Sequence, residues 1–113
     1  MDKGGDWTFF SNHAHVLVYL AENPGARLRE IADAVGITER SAMRLITHLD
    51  DAGILTREKK GRRNYYTIEM DASMRHPIEA HCTVGQLLAM VLSRDELRRL
   101  ERNQAKRTYE SAN

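Results

Sequence analysis

The 113 residues carry 17 basic and 16 acidic side chains, a formal net charge of +1, with 42% hydrophobic and 29% charged residues. Such a length fits one globular domain and leaves no room for two, and the near-neutral balance excludes a protein that coats nucleic acid through bulk charge. A lone cysteine, Cys82, forbids an internal disulfide; no apolar run approaches the ~20 residues of a membrane span, and MDKGGDW lacks the character of a signal peptide, so a cytoplasmic setting is expected.

From Trp7 to Leu20 apolar residues recur near helical spacing at Phe9, Phe10, Val16, Leu17 and Leu20, and NPG at 23–25 stops them, which predicts helix one over 7–22. LREIADAV then sets Leu28, Ile31, Ala32 and Val35 on one stripe, a short second helix closed by Gly36. Thr38 is a suitable N-cap for a third helix whose inner stripe is Ala42, Leu45, Ile46 and Leu49. Arg40, Ser41, Arg44, Thr47 and His48 lie largely away from that stripe, and Gly53 is the exit.

After Gly53 the period changes. ILTRE and NYYTIEM read as two strands joined by KKGRR, a β-hairpin with a positively charged tip over 54–69. One tyrosine of the pair, Tyr66 with Ile68, is expected to pack beneath the hairpin while Tyr65 faces the other way, because strand side chains alternate. DASMRHP is a connector. Val84, Leu87, Leu88, Val91 and Leu92 predict a fourth helix, and Ser93 with Glu96 forms a capping signal for a fifth from Arg94 to about Tyr109, so two C-terminal helices occupy 83–109. The fifth has only Leu97 and Leu100 as strong apolar residues, a thin stripe that suits a helix lying on a partner.

LREIADAVGITERSAMRLITHLDDAGIL, Leu28 to Leu55, resembles the winged helix-turn-helix regulators of the ArsR and MarR type: a small residue at Ala32, the turn at Gly36, an apolar plug at Ile37 and the DAGIL handover to the first wing strand. Ala42 departs from the larger aliphatic common in the family. The resemblance covers roughly Arg27 to Glu69. It implies a mainly α fold with a small β-wing, in which three helices, with the helix-turn-helix at 27–53, precede a two-stranded hairpin and two C-terminal helices, all as one winged helix-turn-helix domain over 1–113.

The residues support that independently. A helix with arginine and hydroxyls near its N-terminus and an apolar back can enter a major groove, where arginine reads guanine bidentately. Thr38, Arg40, Ser41, Arg44 and Thr47 are the expected reading face; Glu39 more simply answers the helix dipole. Lys59, Lys60, Arg62 and Arg63 are expected to reach phosphates or to push an arginine into the adjacent minor groove. Taken alone, such a charged run is equally well a solvated turn.

The expected function is therefore sequence-specific, transcription-regulating binding of double-stranded DNA, by a homodimer on a pseudo-palindromic site. Phe9, Phe10, Leu87, Leu88, Val91 and Leu97 are candidates for the dimer contact. The alternative is a winged-helix protein–protein adaptor, disfavoured because Met43 is the only apolar residue on the exposed side of the third helix. No catalytic constellation, glycine-rich phosphate loop or cofactor motif is present, so neither an enzyme nor a cofactor is expected. His13 and His15 sit about 200° apart on one helix and cannot share an ion, while His76, His81 and Cys82 lack a ligand spacing, so no metal or inducer site is predicted.

Overall fold

Residues 7–112 of the chain are described by a computed structural model, their side chains over 7–103. The expectation drawn from MDKGGD about a leader therefore concerns residues outside this range. In chain order the elements are α1 (Asn12–Glu22), α2 (Leu28–Val35), α3 (Glu39–Asp51), β1 (Leu55–Lys60), β2 (Arg63–Ile68), α4 (Val84–Val91) and α5 (Arg94–Ala112).

Helix α1 starts five residues later than apolar spacing alone predicts, because Ser11 is its N-cap, with the hydroxyl accepting from Ala14 N–H at 3.5 Å. Trp7 and Phe9 precede it as exposed aromatics that meet edge to face at 5.0 Å. At the other end the side-chain amide of Asn23 donates to Tyr19 O at 3.1 Å. Helix α2 opens with the Glu30 carboxylate accepting from Arg27 N–H at 2.7 Å. It closes on Gly36 at φ 85°, a left-handed turn that a β-carbon would strain. Thr38 caps α3, its hydroxyl accepting from Ser41 N–H at 3.0 Å.

The three helices bury one aliphatic cluster. Val16, Leu20, Ile31, Ala42, Ile46, Leu55 and Leu88 are at most 1% exposed, and each large member contributes about 1.5–3 kcal/mol by leaving water. Tyr66 and Ile68 of β2 join the same cluster, as their alternation predicts. The hairpin is antiparallel, with Leu55 opposite Ile68 and Lys60 opposite Arg63, so the turn contains only Gly61 and Arg62. Gly61 supplies the φ of 65° that such a two-residue turn requires. The strands therefore run further toward the tip than ILTRE and NYYTIEM suggest. Tyr66 N–H donates to Pro24 O at 3.0 Å and ties the free edge of β2 to the α1–α2 turn.

The 70–83 connector folds back on itself through a bridge between Ser73 and Thr83. Thr83 and Gln86 then cap α4 reciprocally, at 2.8 and 3.2 Å, a capping box that hydrophobic spacing did not reveal. Leu87 and Leu88, candidates for a dimer contact, instead close the core of the same chain. At α5 the Arg99 guanidinium donates to the carbonyls of Ala21 and Glu22, 3.3 Å each, answering the negative end of α1. Among the described residues, no helix is long and apolar enough to cross a membrane.

Candidate nucleic-acid interface

The surface of α3 is set by what its other sides touch. Ala42, Leu45, Ile46 and Leu49 face the core, which turns Arg40, Arg44, Thr47 and Asp51 outward as one i, i+4, i+7, i+11 stripe. Arg40 and Arg44 are exposed and Thr47 is half-buried. One flank of α3 meets the wing: the Arg57 guanidinium donates to the Asp50 carboxylate at 2.8 Å and to Met43 Sδ at 3.6 Å. The only apolar side chain expected outward on α3 is thus partly covered by an ion pair, and Arg57 is already partnered. The other flank meets α1, where His13 Nε2 and His48 Nδ1 lie 3.0 Å apart. His48 is the partner of His13 and not of His15, a contact that only the packing of α1 on α3 creates.

Thr38 and Ser41 sit differently from the arginines. The Thr38 hydroxyl is engaged as the cap acceptor, and Ser41 is half-buried on the α1 side. The structure brings Arg40, Arg44 and Thr47 into one line and leaves Thr38 and Ser41 at its N-terminal edge.

The hairpin divides the basic run by strand alternation. Lys59 shares a face with Arg57 and Tyr66, toward α3. Lys60 and Arg63 lie opposite each other on the other face, where the Lys60 ammonium stands 5.3 Å from the Tyr65 ring centre. Of the basic residues, Arg62 alone occupies the turn, beside Gly61. Arg63 reaches back to line a recess with Tyr19, Asn23 and Glu30 at the α1–α2 turn. The tip is positively charged, with exposed Arg62 in the turn and exposed Lys60 and Arg63 as the last strand pair beside it, while Lys59 lies one pair back on the opposite face.

No group of three or more histidine, cysteine, aspartate or glutamate side chains is gathered for a metal among the described residues.

Residues 11–63, from the cap of α1 to the first residue of β2, match the model of the MarR family. A 41-residue stretch is 39% identical to the riboflavin kinase of Thermococcus kodakarensis; it is 36% of this chain and 19% of the kinase, too small a share for the kinase's activity to be carried over. Among solved structures, MepR, a transcription regulator of the Staphylococcus aureus multidrug efflux pump MepA, is 19% identical, with a TM-score of 0.47 over 88% of this chain and 78% of its own. A mutant MepR from a multidrug resistant clinical isolate of the same species is 20% identical, with a TM-score of 0.47 over 97% of this chain and 88% of its own. A hairpin follows the capped helix-turn-helix, so the chain has a winged helix-turn-helix arrangement and over residues 11–63 is similar to the MarR family.

Proposed function

We propose that the chain binds double-stranded DNA sequence-specifically, with α3 in the major groove and the wing against the adjoining backbone. The observation that carries this is the outward line of Arg40, Arg44 and Thr47 on a helix whose back is wholly buried. Arginine at those positions can pair bidentately with guanine O6 and N7, each such pair giving about 1–3 kcal/mol of discrimination against the wrong base. Lys59, Lys60 and Arg62 supply affinity and register through phosphates, and Thr38 and Ser41 stand at the N-terminal end of α3, where amides and hydroxyls also reach the backbone. Arg63, turned toward the α1–α2 recess, contributes least.

The binding unit is a homodimer on a pseudo-palindrome, with α5 in the contact. Its thin stripe of half-buried Leu97 and Leu100, together with exposed Met90 and Val91 at the end of α4, leaves apolar surface that one copy does not cover.

A salt titration of duplex binding tests the reading. Affinity is expected to fall steeply with salt; Lys60→Glu with Arg62→Glu weakens binding to every duplex and flattens the salt slope, whereas Arg44→Ala mainly relaxes base preference. Absence of duplex binding at low salt would transfer the function to a protein–protein adaptor.

A further inference from the structure

The pair of imidazoles between α1 and α3 is outside the reading face and has no part in the function so far. His13 Nε2 and His48 Nδ1 are 3.0 Å apart, the ring centres 5.3 Å apart and the ring planes within 17°. The centre-to-centre distance is about the bond length plus the two ring radii. The rings therefore meet edge to edge in nearly one plane, and the contact is an in-line N–H···N hydrogen bond in which one ring donates and the other accepts.

Such a bond exists only while at least one of the two facing nitrogens is unprotonated. With one proton added it remains; with two, a pair of N–H donors confronts each other and the rings must part. The surroundings oppose that second charge. Arg44 lies one turn before His48 on α3, and Arg75 and Glu79 of the β2–α4 connector line the same cavity as both rings, two cations against one anion. His15, the other histidine of α1, is turned away and paired with Asn12 Oδ1 at 3.1 Å. Burial first, then the charges of His48 and Arg44, hold His13 below the ordinary imidazole value.

We propose that the His13–His48 bond is a proton-operated latch that steadies the α1 flank of the recognition helix beside Arg44 at neutral pH and opens in acid. The proposal rests on the DNA-binding reading above. Opening places imidazolium charge one turn from Arg44, which repels the guanidinium from its groove-facing position. It also adds positive charge that attracts any phosphate backbone. The signature is therefore specific to a latch: acid raises affinity for random duplex while lowering affinity for the preferred site.

The test measures binding of the full chain to its selected duplex and to a random duplex from about pH 7.5 to about pH 4.5 at constant ionic strength, through and below the ordinary imidazole range, because the second proton is the one that opens the bond. The ratio of the two affinities is expected to shrink severalfold in the wild type and to stay flat when His13→Gln and His48→Gln are combined, because glutamine keeps hydrogen-bonding capacity without titrating. A wild-type ratio independent of pH, or a double variant with the wild-type dependence, overturns the latch. Nitrogen-15 NMR of the histidines, without DNA, separates this failure from failure of the DNA-binding reading. If no duplex binds at any pH, that reading falls; the latch itself then stands if the two rings titrate in a coupled manner with loss of the N–H···N bond, and falls if they titrate independently.

Discussion

Gly25, in the α1–α2 turn, lies against the Tyr65 ring. A β-carbon there would come 2.7 Å from Tyr65 Cε1, 3.3 Å from Cδ1 and 3.4 Å from Cζ. Ordinary contact begins at 3.4 Å, so Gly25→Ala forces the ring edge back by about 0.7 Å. Overpacking of this kind costs about 1–3 kcal/mol, and the lower end applies because the ring can swing outward, loosening its contact with Lys60. Against this, alanine restricts the unfolded chain and returns about 0.4–1 kcal/mol, since Gly25 is not one of the left-handed glycines, Gly36, Gly53 and Gly61. The net expectation is a loss of about 0.5 kcal/mol, a melting temperature lower by about 2–4 °C. Urea and thermal unfolding of Gly25→Ala, Tyr65→Ala and the double variant form a cycle. In the Tyr65→Ala background Gly25→Ala should become neutral or stabilising. An equal loss in both backgrounds would refute the reasoning, because the cost would then not arise from the ring.

Ile46→Ala is expected to destabilise by about 2–5 kcal/mol in urea unfolding, as Ile46 is fully buried, while Arg44→Ala on the same helix should stay within about 0.5 kcal/mol of wild type. Thr38→Ala should lose about 1 kcal/mol through the missing cap bond to Ser41 N–H, and Thr38→Ser should restore most of it. The pH dependence of stability has a definite sign. His13 is depressed in the folded state, so the unfolded chain binds more protons; stability is full above about pH 6.5 and declines as pH falls below it. Glu22 acts oppositely: burial, then the Glu96 hydrogen bond and charge, raise it against Arg99, so protonation favours the fold. Comparing wild type with His13→Gln from pH 8 to 5 isolates the histidine contribution, which should vanish in the variant.

The helix-turn-helix was legible because several local signals agree there: the Leu28–Val35 stripe, the left-handed Gly36, the Thr38 cap and the inner stripe of α3 are each short-range and mutually consistent. The start of α1 was not, since the spacing of Trp7 to Phe10 continues the helical pattern while the Ser11 cap decides where the helix begins. At the wing, composition located the hairpin, but only pairing register separates Lys59 from Lys60 and Arg63 and leaves Arg62 as the basic residue of the turn. Leu87 and Leu88 show the corresponding gap for burial, because a stripe identifies a buried face without saying whether the same chain or a partner buries it. The Arg57–Asp50 pair and the His13–His48 bond join residues of different elements, and no sequence spacing encodes such contacts.

Selection of binding sites from a randomised duplex pool, with the wild type and Arg44→Ala in parallel, bears on the role of α3. The wild type should enrich two inverted half-sites about one DNA turn or somewhat more apart, and Arg44→Ala should enrich the same spacing with one position of each half-site relaxed. A pool that shows no enriched motif, or a motif unchanged by Arg44→Ala, would contradict sequence reading by this face of α3.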